Sequence, residues 1–257
     1  MIEVTHLTKR YNGTVAVDDI SFCVQQGEIL GYLGPNGAGK STTVKMLTGV
    51  IRPTSGRIII DGLDMAENPT EIKKRIGYVP ETGGLYESLT AYEYLQLVGR
   101  LYHLDEDVLD RRIEEFMTLF GLVQVMHDRL SSYSKGMKQK VLISAALLHN
   151  PKIIFLDEPL SGLDASSALL LKELVRRLAQ EGKTIFYCSH ILDVVERVCD
   201  RVIIINKGKI VADGRVDQLK EMTRQASLED VFKQLTLSTD IGELADAFAR
   251  SVVEIGR

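Results

Sequence analysis

Positions 34–42 read Gly34, Pro35, Asn36, Gly37, Ala38, Gly39, Lys40, Ser41 and Thr42, a complete G-x-x-x-x-G-K-[ST] pattern. Glycines at that spacing let backbone N–H groups turn inward around phosphate oxygens, and the Lys40 ammonium neutralises terminal phosphate charge. The Ser41 hydroxyl can ligate magnesium. A second group closes the run IIFLDEP at 153–159. An apolar strand there carries Asp157 and Glu158 to its carboxyl end, where open α/β sheets place their ligands. Adjacent residues at a strand end point to different sides, so Asp157 can hold the magnesium shell while Glu158 orients and deprotonates an attacking water. His190 follows the strand-like TIFYCS and has two readings: a structural histidine, or a group that reaches the terminal phosphate and holds Glu158 and water in line. Tyr11, in a loop-like segment near Gly13, is either an ordinary loop tyrosine or an aromatic that stacks on adenine. Finally, SYSKGMKQK at 132–140 is another helix start able to hold an anion, with Ser134 as its N-cap.

The elements that must position these residues follow from hydrophobic periodicity. Residues 2–7 and 27–33 read as strands, the second running into the glycine-rich loop and then a helix through Leu47. Short strands follow at 57–61 and 75–79, separated by a segment with Pro69 and several charges. From 90 to 148 the periodicity is helical, with Leu109, Ile113, Phe116 and Phe120 on one stripe, and reads as a helical insertion. The β/α alternation resumes with a buried strand at 153–156, a helix at 166–181 and a buried strand at 184–188. A helix at 191–199 and a hairpin of 201–205 with 209–212 complete the pattern. Apolar strands separated by helices imply an α/β core with a parallel sheet. Beyond Asp213 the chain is polar and helical. Ser227 to Asp230 has capping-box spacing, and Ile241, Leu244, Phe248, Val252 and Ile255 form an apolar stripe that packs on its own domain or receives a partner.

Composition narrows the setting. The chain has 257 residues, 45% hydrophobic and 26% charged, enough for a substantial core. A formal net charge of -4 gives no global attraction to nucleic acid or anionic lipid. Cys23, Cys188 and Cys199 are odd in number and far apart, which argues against a disulfide framework or zinc site and for a reducing compartment. The start lacks the apolar core of a signal peptide, and no apolar run approaches the ~20 residues that span a bilayer. Any membrane role would come through a partner.

Taken together, these residues resemble the ATP-binding cassette (ABC) family. Tyr11 lies where that family has its adenine-stacking aromatic, GPNGAGKST is its phosphate loop, and SKGMKQK corresponds to its signature motif. LDEP, then SGLD at 161–164, then Ser189 and His190 complete its order, so the resemblance spans about residues 2–215. It implies an α/β fold: a RecA-like P-loop NTPase core with an antiparallel β portion and an inserted α-helical subdomain. The ATPase domain would cover 1–215, with the helical subdomain at roughly 86–150, followed by a short helical tail at 216–257. ATP and Mg2+ are the implied cofactors, and a dimer with a second copy or a related subunit is the implied assembly. In it, ATP on one subunit's phosphate loop is covered by Ser134, Lys135 and Gly136 of the other, with Asp164 at the seam.

Two positions depart from the family's commonest pattern. YVPE places Glu81 where glutamine is usual; a carboxylate there either joins the metal shell or faces solvent and caps the next loop. The signature reads YSKGM, with Lys135 for the first glycine and Met137 for the glutamine. This variant, with PETGGLYESLTAYEYL and SLEDVFKQLT, resembles bacterial cassettes of exporter type that work with separate membrane subunits. The resemblance therefore implies a Mg-dependent ATPase subunit of an ABC transporter, an exporter, attached from the cytoplasmic side to multi-span permease subunits. Residues 85–88 either form part of that contact or are an ordinary loop. The alternative is a soluble cassette that remodels ribosomes or DNA; such members usually carry paired cassettes, coiled coils or zinc modules, none evident here, and no nucleic-acid partner is expected.

Overall fold

The computed structural model describes residues 1–225 and 227–236. The chain opens with an antiparallel hairpin of β1 (Ile2–Tyr11) and β2 (Thr14–Val24), with Tyr11 opposite Thr14. Asn12 and Gly13 form the turn, both at positive φ, as a two-residue hairpin loop requires. β1 thus runs beyond residue 7 and makes Tyr11 a strand end, not a loop residue. β2 was absent from the sequence expectation because its alternation is broken at Asp18 and Asp19; Asp19 has φ 52°, and the hairpin shifts register three times.

The fully buried β3 (Ile29–Leu33) leads through the glycine loop into α1 (Lys40–Leu47). β4 (Ser55–Ile60) returns to pair with β1, and the short β5 (Leu63–Asp64) forms the edge of a four-stranded sheet ordered β2-β1-β4-β5. The charged segment at Pro69 folds as α2 (Pro69–Arg75), proline taking the first-turn position where its missing N–H costs nothing. It runs directly into β6 (Ile76–Val79).

No strand interrupts the next stretch, which holds α3 (Ala91–Leu101), α4 (Glu106–Leu119), two single 3-10 turns and α5 (Lys135–Leu147). Each helix has a definite start: Thr90 and Glu93 form a reciprocal capping box, Asp105 caps α4 and Ser134 caps α5. Then follow β7 (Ile153–Asp157), α6 (Ala165–Gln180), β8 (Thr184–Cys188), α7 (Leu192–Val198), β9 (Arg201–Asn206) and β10 (Lys209–Gly214). Two further helices, α8 (Val216–Thr223) and α9 (Leu228–Thr236), end the described chain. Ser227 Oγ accepts from the Asp230 amide at 3.1 Å, capping α9. The apolar stripe at 241–255 lies outside the described residues.

The larger sheet is ordered β10-β9-β3-β8-β7-β6, parallel except for β10. β3, β7 and β8 are buried along their whole length, which accounts for their unbroken apolar sequences. Their side chains alternate between two cores. Ile154 and Leu156 join the cluster shared with the helical block, α6 and α7, whereas Ile153 and Phe155 join the one between the two sheets, beside α1. In the latter, Phe155, Phe186, Tyr32 and Phe22 make tilted ring contacts with centroids 5.0–6.2 Å apart. The central β3, flanked by β8 and β9, delivers the glycine loop at the carboxyl edge where the strand order reverses. Among the described residues, no helix is long and apolar enough to cross a membrane.

Candidate active site

The loop between β3 and α1 is closed by its own backbone. Ala38 N donates to Pro35 O at 3.1 Å, and Gly208 N, from the β9–β10 turn, donates to Ala38 O at 2.9 Å. Gly39 is the N-cap of α1 at φ 108°, and a Cβ there would stand 2.5 Å from the Ala16 carbonyl oxygen. Only glycine meets both demands. The first turn of α1 therefore points its free amides into the pocket, with the positive end of the helix dipole behind them. Lys40 is buried, and its ammonium donates to Gly34 O at 2.6 Å and Pro35 O at 3.1 Å. Those contacts hold the lysine across the loop and leave one of its three donors for phosphate.

β7 places Asp157 and Glu158 opposite this loop. Asp157 is 2% exposed, and its Oδ1 has no hydrogen-bond partner among the described residues. Burial pushes its carboxyl group up; the Cys188 thiol and Ser41 hydroxyl act the other way, while Glu81 and Glu158 add to the rise. A buried carboxylate oxygen without a donor, beside a serine hydroxyl and near a second carboxylate, is the hard-oxygen set that suits Mg2+. Mg2+ takes one or two protein carboxylates and completes its shell with water and phosphate oxygens.

Glu158 is held differently. Its backbone sits at φ 50° and its amide donates to Cys188 O at 2.9 Å, so the chain turns sharply at the strand end. One carboxylate oxygen accepts from Ser189 Oγ at 3.2 Å and the other lies 2.7 Å from His190 Nδ1. This arrangement depends on β8 lying beside β7 with Asp157 level with Cys188. The Ser189 anchor was not among the sequence-derived site residues, although the Ser-His pair was noted.

A cavity of about 630 Å³ is lined by Gly34–Gly37, Gly39–Thr42, Glu81, Asp157, Glu158 and His190, together with Ala16 and Phe232. The structure thus gathers most of the sequence-derived residues at one site. Ala38 is buried in the loop, 2% exposed, and does not line the cavity. Tyr11 does not line it either; 44% exposed, it carries the Lys9 ammonium 5.0 Å over its ring. Ser134, Lys135, Gly136 and Asp164 form a separate cluster. A Cβ on Gly136 would overlap the Gly162 carbonyl, Lys140 pairs with Asp164 at 3.3 Å, and Asp164 caps α6 through Ser167 N at 2.9 Å. Sequence reasoning missed Ala16 and Phe232, which reach the site from β2 and α9. Nothing in local spacing shows that those elements border the loop.

The fold and pocket define a P-loop nucleotide-binding cassette. A family model described as ABC transporter matches residues 17–161. The chain is 41% identical over 238 residues to the ABC transporter ATP-binding protein NatA of Bacillus subtilis (strain 168), covering 90% of this chain and 96% of the relative. Among solved structures, an ATP-binding subunit of an ABC transporter superposes with a TM-score of 0.86 at 36% identity, covering 91% of this chain and 99% of the other. A dimeric ATP-binding cassette in a post-hydrolysis state, bound to ADP and Pi, gives a TM-score of 0.78 at 26% identity, covering 84% and 98%. The chain belongs to the ABC transporter family, as an ATP-binding and ATP-hydrolysing subunit.

Proposed function

We propose that this subunit couples Mg-dependent ATP hydrolysis to export through separate membrane subunits, acting as a dimer with two ATP molecules between its cassettes. The observation that carries the reading is Glu158, fixed by Ser189 and His190 across the cavity from the phosphate loop. In this reading Lys40 and the α1 amides hold the triphosphate and balance charge at the terminal phosphate. Glu158 accepts a proton from the attacking water, and His190 keeps that carboxylate aimed. Ser41, Asp157 and Glu81 would hold Mg2+, which when bound supplies positive charge to the phosphate oxygens.

Within one chain the signature cluster at Ser134–Gly136 does not line the phosphate cavity, which supports a site completed by a second subunit. Tyr11, at the tip of the β1–β2 hairpin, is the proposed adenine contact. An apolar groove of about 490 Å³ between β6 and the helical block, lined by Tyr78, Pro80, Gly84, Tyr94, Val98 and Tyr102, supports docking of a short helix from a permease. Tyr86, 64% exposed, extends it over the proposed 85–88 contact. Such docking would hold the subunit at the cytoplasmic face of the membrane. The signature variant YSKGM favours export, and relatives that are transporter ATP-binding proteins favour this reading over ribosome or DNA remodelling.

Glu158→Gln tests the chemistry. Turnover falls ~100-fold or more, ATP binding persists and ATP-bound dimers accumulate; unaltered hydrolysis removes Glu158 as the base. Affinity purification from membranes tests the coupling: a multi-span partner without its own ATPase is expected, and recovery with ribosomes or DNA alone would overturn it.

A further inference from the structure

We infer that Phe232, on α9, is a positioning residue for hydrolysis, and that the tail helix forms part of the catalytic pocket wall. This rests on the reading of Glu158 and His190 given above. Phe232 lines the phosphate cavity with His190 and brings a large apolar ring to a lining that is otherwise mostly polar or small. Every other lining residue lies between positions 16 and 190.

α9 is built to hold that ring in place. Leu228 and Val231 are fully buried in the core cluster shared with α7, and Leu235 packs against it one turn further on. The stripe runs i, i+3, i+7, and Phe232 sits beside it, half-buried, packed against the same core cluster and also lining the cavity. The end of the helix is tied to the strand beside the phosphate loop, Asn206 Nδ2 donating to Thr236 O at 3.4 Å. α9 packs against α7 and α8, and α7 starts two residues after His190. α7 therefore joins the tail to the segment that carries the histidine.

His190 needs outside support. Its imidazole meets Glu158 at 2.7 Å, yet its side chain is 66% exposed against 10% for Glu158. One hydrogen bond fixes a distance, but a solvent-facing ring retains rotamers that break it. An apolar aromatic lining the same cavity would exclude some of those rotamers and some water, without competing for the carboxylate. Phe232 thereby acts on the orientation of His190, and through it on Glu158, with no contact to the reacting atoms required.

The test uses the full chain and steady-state ATP hydrolysis. Phe232→Ala lowers kcat roughly tenfold with KM for ATP moved less than about twofold, since alignment and not binding is lost. Phe232→Leu restores most of the rate. Leu235→Ala, which loosens the same helix away from the cavity, lowers the melting temperature about as much as Phe232→Ala but keeps kcat. In a His190→Ala background, Phe232→Ala costs nothing more, as expected for two residues in one chain of effect. Equal rate losses in Phe232→Ala and Leu235→Ala, an unchanged kcat in Phe232→Ala, or additive losses with His190→Ala would each overturn the inference. Glu158→Gln measured alongside separates the failures: if it abolishes turnover while Phe232→Ala does not, only the role of Phe232 falls, and if it leaves turnover intact, the underlying reading falls and takes this one with it.

Discussion

Glu158 occupies left-handed backbone at φ 50°, a conformation that costs a non-glycine residue roughly 1–3 kcal/mol and persists only when its surroundings impose it. Here the Cys188 carbonyl, the Ser189 hydroxyl and the His190 imidazole impose it together. The turn separates the directions of two adjacent carboxylates, so Asp157 faces inward while Glu158 meets the histidine. Glu81 is the residue whose role the motif leaves most open. It is exposed, lines the cavity and raises the Asp157 carboxyl by its charge. Glu81→Gln removes that repulsion and the anionic ligand proposed for the metal. The expected outcome is near-wild-type maximal turnover with a several-fold rise in the Mg2+ concentration for half activity, read from a magnesium titration. An unchanged titration would place Glu81 outside the metal shell.

At the scale of elements, the helical block is joined to the sheet by a histidine clip. His149, just past α5, stacks on Tyr102 at the end of α3 with centroids 3.7 Å apart and planes 8° from parallel. Its Nε2–H donates to Ile76 O, in β6, at 2.9 Å. A carbonyl only accepts, so the neutral ring carries its proton on Nε2, and Nδ1 is buried without a partner among the described residues. Burial, with Lys183 adding a smaller repulsion, accordingly pushes the imidazole pKa below its ordinary value. A histidine harder to protonate when folded stabilises the unfolded state as pH falls through the unfolded value of about 6.5, so stability declines on acidification and is retained above it. Chemical denaturation should therefore show a midpoint falling from about pH 7 to about pH 5.5, with a smaller decline in His149→Gln. Parallel curves for the two proteins would dismiss the clip as the source. The same scale shows why β2 escaped notice: its inward residues Val17, Ile20, Phe22 and Val24 skip a step at Asp19, and a strict period of two fails across that bulge.

For the whole molecule, the key fact is that of two helix starts able to hold an anion, α1 lines the phosphate cavity and α5 does not. Ser134 Oγ accepts from Met137 N at 3.3 Å and caps α5, a helix start able to hold an external anion. If that anion belongs to a facing subunit, Ser134→Arg leaves nucleotide binding by the monomer unchanged and blocks ATP-driven dimerisation. Light scattering in a Glu158→Gln background reads this directly. Weakened binding by the isolated monomer would contradict the division between the two helix starts.

The sequence by itself determined the phosphate loop, the acidic strand end, the helical interruption and the types of most elements. These follow from local rules: glycine spacing fixes a loop's backbone, and the period of apolar residues fixes helix or strand. Helix starts at Thr90, Asp105 and Ser134 are equally local, each set by one side-chain oxygen. Only the tertiary structure decided which elements are neighbours. The order β9-β3-β8-β7-β6 is not chain order, and it sets Ser189 and His190 against Glu158. It equally decided that Tyr11 ends a strand outside the cavity while Phe232 reaches it from 74 residues beyond Glu158 (232 − 158). The physical reason is that burial selects partners by total shape and apolar area across the chain, and side-chain periodicity carries no address for the surface it will cover.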